Sequence, residues 1–137
     1  MENQTTLEEL FGPPISVYTR AQAIEDGQLV DVSEADVTRD AGFRYPIAVT
    51  RAIWAWVHPE PMPRCQDFSG RLWDLYTMFR HGMRRASGST DRIRFSVLFQ
   101  GGPGLRGRQK RIVSMIAVCG PGDDAEPVIT IMLPGED

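Results

Sequence analysis

Two groups of acids in this chain have the types and spacing that acid–base chemistry needs. Asp26, Asp31 and Asp36 fall at five-residue intervals, and Asp123 and Asp124 are adjacent in a glycine-rich turn. Paired carboxylates act as general acid and general base when their surroundings push their pKa values apart. With Arg44 or Arg51 holding a phosphate, Asp26, Asp31, Asp123 and Asp124 would suit a small enzyme acting on a nucleotide or nucleic acid. Each acid also has a structural assignment. Asp26 closes a helical turn before Gly27, and Asp31 sits on a strand. Glu34 and Asp36 complement the positive end of a helix, and Asp123 and Asp124 are turn residues. These assignments account for the acids without chemistry and make them the second candidate site.

The first candidate site is basic. Residues 64–111 hold eleven basic side chains and three acids, a local balance of +8, whereas the rest of the chain holds four and fifteen. The net charge of −3 hides this division. A basic surface attracts phosphates or acidic protein patches. Arg80 and Arg84 share one helix flank with Trp73, while Arg71 and Arg85 lie on the other, with His81 beside Arg85. Arg106, Arg108, Lys110 and Arg111 follow in a glycine-rich connector. Arginine beside an off-face tryptophan suits stacking on bases, and equally suits a protein-interface hot spot. The alternative is that these arginines pair with the acidic half of the same chain.

Other chemistries find no pattern. His58, Cys65, His81 and Cys119 lack metal-ligand spacing, so no metal and no cofactor are expected. The stretch "GGPGLRGR" has Gly102 and Gly107 at the glycine spacing of a phosphate loop. Arg108 and Gln109 then stand where Lys and Ser or Thr are required, and a strand follows in place of a helix. No serine sits in a G-x-S-x-G elbow. Cys65 and Cys119 read as reduced thiols.

The elements that must position these residues follow from periodicity. Residues 1–14 read as a loose or short helical arm stopped by Pro13 and Pro14. Alternation predicts a strand over 15–19. A helical turn follows, capped by Thr19 and stopped by Gly27, and then a strand over 28–32 with Leu29 or Val30 facing the core. Ser33 is placed to cap a helix ending at Gly42, and Thr50 is a possible cap within a helix read over 48–57. Three prolines make 58–63 a loop. The clearest helix is 67–86, with Phe68, Leu72, Leu75, Tyr76, Phe79 and Met83 at helical spacing on one face. Strands are predicted over 93–99, over 111–119 as the central one, and over 128–133, forming an antiparallel meander. Helices early and strands late imply a single α+β domain, with two to four helices on one face of an antiparallel sheet and short N-terminal strands at its edges.

The chain has 137 residues, of which 42% are hydrophobic and 24% charged, as expected of one globular domain. No apolar run approaches the ~20 residues of a membrane span. The acidic start "MENQTTLEEL" lacks a signal pattern, so a cytoplasmic location without membrane contact is the default expectation.

Four phrases carry a resemblance over most of the chain: "VYTRAQAIEDGQLVDVSE", "AGFRYPIAVTRAIWA", "GRLWDLYTMFRHGMRR" and "GPGDDAEPVITIMLPGED". They resemble a family of small bacterial proteins, a domain of unknown function carried on plasmids, integrative elements and phages. The resemblance supplies no catalytic residue. It implies a small accessory protein of a mobile genetic element, which would bind host machinery or counter host defence. The resulting expectation is a non-enzymatic counter-defence or regulatory factor. Its partner would be a host protein or a protein–nucleic acid complex. Its contacts would come from Arg71, Trp73, Arg80, Arg84, Arg85, Arg106, Arg108, Lys110 and Arg111. Direct nucleic-acid binding is a further alternative.

Overall fold

The computed structural model describes residues 18–86 and 90–136. Helix α1 (Arg20–Glu25) begins at a capping box, in which Thr19 Oγ1 accepts from the Gln22 amide at 3.0 Å and Gln22 Oε1 accepts from the Thr19 amide at 2.9 Å. It ends where Gly27 turns left-handed at φ 78°, as its position in the sequence implies. Strand β1 (Leu29–Asp31) and helix α2 (Asp36–Ala41) follow. Gly42 closes α2 at φ 77°. The strand predicted over 15–19 falls largely outside the described residues, and Tyr18 and Thr19 are not in a strand. The N-terminal arm lies wholly outside them.

Ser33 is not the cap of α2. That place is taken by Ala35, without a side-chain bond. The Ser33 hydroxyl instead accepts from the Ile47 amide at 2.8 Å and donates to the Ile47 carbonyl, extending the pairing of β1 with its neighbour.

The segment read as one helix over 48–57 is divided. Residues Ile47–Thr50 form β2, and only Arg51–Val57 form helix α3. Ile47, Ala48 and Val49 are all buried, Ile47 and Val49 in the main core and Ala48 on the other face of the sheet, because other elements pack over both faces here. A strand buried on both faces loses its alternation and reads like a helix segment. Thr50 is the N-cap, its hydroxyl accepting from the Ile53 amide.

Helix α4 (Phe68–Arg85) matches its prediction, with Asp67 Oδ1 accepting from the Gly70 amide at 2.7 Å as N-cap. Its face of Leu72, Leu75, Tyr76 and Phe79 is buried, each side chain worth roughly 1.5–3 kcal/mol of burial. Met83, expected on that face, is 40% exposed because it lies at the last turn.

Strands β3 (Arg92–Gln100), β4 (Lys110–Pro121) and β5 (Pro127–Met132) pair antiparallel, as the turn signals require. The sheet is larger than that meander. It has five strands in the order β1-β2-β5-β4-β3, with β2 parallel to β5. The middle strand is therefore β5 and not β4. Four helices accompany it among the described residues. The main core lies between α2, α3 and α4 and the sheet face of Ile47, Val49, Phe95, Val97, Phe99, Val113, Met115, Ile129 and Ile131. A second set, Ala23, Ala48, Ile116, Val128 and Met132, is buried apart from that core. It belongs to the opposite face, where α1 sends the Arg20 side chain to Thr130. No helix among the described residues is long and apolar enough to cross a membrane.

Candidate functional site

Two of the acids, Asp123 and Asp31, are held by backbone amides. Asp123 accepts from the amides of Arg20 and Ala21 at 2.8 and 3.0 Å, so the β4–β5 turn caps the first turn of α1 across the chain. Asp26 accepts from the Tyr18 hydroxyl at 2.8 Å, a bond that raises the Tyr18 pKa. Asp31 accepts from the Ser33 amide at 2.9 Å. The Asp124 amide donates to Glu126 at 2.9 Å. Arg51 donates to the carbonyls of Gly27 and Asp26, securing the end of α1. Asp31 and Asp123 are brought near one cation, Arg20, which no motif in the sequence singles out. Arg20 donates to Thr130 Oγ1 and the Ile129 carbonyl at 2.6 and 2.9 Å. Burial lowers its pKa, while Asp31, Asp123 and Glu126 act in the opposite direction. The grooves beside α4 and the 100–109 hairpin include none of Asp26, Asp31, Asp123 or Asp124 in their walls.

The possible metal ligands stay dispersed. His58 stacks on Trp54 at 5.1 Å, His81 is on the exposed surface of α4, and Cys65 and Cys119 are free and exposed. Among the described residues, no three His, Cys, Asp or Glu side chains meet in a way that could hold a metal ion.

The basic residues divide into four places. Arg71 lies in the interior at 3% exposure. Its Nε donates to the Trp56 carbonyl at 2.8 Å, and Nη1 donates to Gln66 Oε1 at 2.6 Å and the Gln100 carbonyl at 2.9 Å. Nη2 donates to the Gly101 carbonyl at 3.0 Å, and the guanidinium lies over Phe99. Burial lowers its pKa, with Asp74 opposing. Helical spacing puts Arg71 on a flank, but the β3 end closes over that flank and turns the side chain into a tie between α3, α4 and β3.

Arg80 and Arg84 remain on the flank of α4, with Arg80 at 4.8 Å over the Phe43 ring and Arg84 exposed. Trp73 is 45% exposed on the same flank, bordering a groove that also includes Asp36 and Asp40. Arg85 and His81 lie on the opposite flank, beside the outer edge of β3 and its exposed Arg94. Arg106, Arg108, Lys110 and Arg111 are exposed around the β3–β4 hairpin, with Arg111 at 6.0 Å from the Trp56 ring. Arg92 aside, no basic residue of this segment forms an ion pair with an acid among the described residues. The ion pair Arg39–Glu34, at 2.7 Å, lies outside it.

Exposed cations thus sit at the end of α4, on β3 and around the 100–111 hairpin. No curated protein and no solved structure gives a significant match to the chain. A family model described as "Family of unknown function (DUF6573)" matches residues 12–137, and the chain belongs to that family.

Proposed function

We propose that this chain is a non-enzymatic interaction protein of a mobile genetic element, a counter-defence or regulatory factor. It binds an acidic surface of a host protein or protein–nucleic acid complex through Arg80, Arg84, Arg85 and the arginines of the 100–111 hairpin. One observation carries this reading: among the described residues, none of these cations, which are exposed except for the half-buried Arg80, forms an ion pair with the acidic half of the chain. Arg80, Arg84 and Arg85 sit on the helix α4, which loses little freedom on binding. Of the acids that a small enzyme would use, Asp123 and Asp31 accept from helix and turn amides and Asp26 accepts from the Tyr18 hydroxyl.

The test is retention of a host protein from cell extract by the tagged chain, identified by mass spectrometry. Arg80→Glu with Arg84→Glu should weaken that retention by about tenfold or more, and more steeply at low salt. Unchanged retention removes this flank from the interface.

A further inference from the structure

Among the described residues, the outer edge of β3 is a row of backbone groups bonded at its ends and without a partner in the middle. Cys119 donates to the Asp91 carbonyl and Gly101 to the Gln109 carbonyl, at 2.8 and 2.9 Å. In an antiparallel ladder such residues alternate. The odd-numbered residues of β3 therefore bond to β4, and Arg92, Arg94, Ser96, Leu98 and Gln100 turn their amides and carbonyls outward. Two contacts agree with this parity. The Gln100 carbonyl accepts from Arg71 and Gln66 at one end, and Arg92 exchanges bonds with the Thr90 hydroxyl at the other. Arg94, Ser96 and Leu98 lie between these closures.

Around that stretch runs a groove of about 730 Å³, lined by Met78, His81 and Arg85 of α4 and by Ile93, Arg94 and Ser96 of β3, and reaching Ser114 and Ile116 of β4. Gly82 brings the helix so near β3 that an added Cβ would lie 3.2 Å from the Arg94 carbonyl oxygen. Helix α4 therefore roofs the strand edge. A lone extended segment needs less room beside that roof than a second copy, which would bring its own α4 with its β3.

We infer that the β3–α4 groove binds an extended acidic peptide segment as an added strand. Its backbone exchanges hydrogen bonds with Arg94, Ser96 and Leu98. Strand alternation sends its side chains to two sides. Carboxylates on one side meet the exposed Arg94. Apolar side chains on the other side meet Ile93 and Met78 beneath the helix, where Arg85 adds a further cation. This inference rests on the proposed binding function and specifies the form of its partner.

The probe is a fluorescein-labelled octapeptide of alternating glutamate and valine, titrated by fluorescence anisotropy into the full chain. A second peptide of the same charge carries N-methyl groups on alternate residues, which remove backbone donors. Expected are binding of the first peptide, a loss of about tenfold or more with the second, and amide shifts centred on Arg94, Ser96 and Leu98 in NMR spectra. Ser96→Pro should weaken binding similarly, since its outward amide is no part of the β4 ladder. Circular dichroism checks its fold, and Arg94→Glu provides a variant that keeps the backbone intact. Equal affinity for both peptides would overturn strand addition and leave charge-based binding standing. Failure to bind either peptide, while Arg80→Glu with Arg84→Glu still weakens retention of a host protein, would likewise overturn it. No binding and no retention would sink both readings. A concentration-dependent dimer abolished by Ser96→Pro, without peptide binding, would assign the edge to self-association and overturn it too.

Discussion

Arg71 Nη1 donates to the Gln100 carbonyl at 2.9 Å, so a side chain of α4 closes the last outward backbone acceptor of the strand it covers. The same guanidinium holds the Trp56 and Gly101 carbonyls and rests on Phe99, and no carboxylate contributes to these bonds. An arginine used this way is an internal fastener.

Arg71→Ala takes the donor from the Trp56 and Gly101 carbonyls and leaves the Gln100 carbonyl only its bond from Gln66. It should lower the unfolding free energy by about 3 kcal/mol or more, read from urea denaturation. Arg71→Lys should recover only part of that loss, because an ammonium lacks the planar fork that spans several acceptors. Full stability in both variants would show that the bonds are dispensable.

Tyr76 and Thr38 share a buried hydrogen bond of 2.6 Å. Burial pushes the Tyr76 hydroxyl up from 10.0 to about 12, with the Thr38 bond acting the other way. A group whose folded pKa is raised contributes fully below its unfolded value. Stability from the neutral phenol is thus intact below pH 10 and lost as pH climbs from 10.0 to about 12. Urea midpoints should fall across that window, and Tyr76→Phe should flatten the fall. Tyr18 titrates with its own raised pKa, so the difference between wild type and Tyr76→Phe isolates the Tyr76 share. At neutral pH the same substitution should cost about 1 kcal/mol, since the Thr38 hydroxyl loses its partner.

Asp123→Ala removes two acceptors from the first turn of α1 and should destabilise the chain by about 1 kcal/mol. Asp123→Asn keeps one acceptor and should lose less. Thermal unfolding monitored by far-UV circular dichroism reads both, and no effect in either would release Asp123 from its capping role.

Gly82→Ala sets a gain against a clash. A methyl group at this position would meet Ile93 Cγ2 at 3.0 Å and the Arg94 carbonyl oxygen at 3.2 Å. Alanine favours the helix by about 1 kcal/mol, while overpacking costs about 1–3 kcal/mol. Backbone oxygen yields less readily than a side-chain end, so the net effect should be a lower melting temperature. A rise would mean that α4 lifts from β3 freely.

Much of this protein follows from local pattern. Thr19, Gly27, Gly42, Thr50 and Asp67 mark their helix ends through short-range hydrogen bonds and backbone φ, which neighbouring residues decide. The alternation of β3 and the apolar face of α4 are legible for the same reason: each element has one wet side. Strand β2 is not legible, because burial on both faces erased its period. The acids could be assigned to helix ends and turns from the sequence, yet that Asp123 caps a helix a hundred residues away could not. Arg71 and Arg85 lie on the same flank by helical spacing. Only the tertiary structure decided that one is a buried tie and the other an exposed cation, because the end of β3 folds over the first and not the second. Charge along the sequence determined where cations cluster; packing between distant elements decided which of them face solvent.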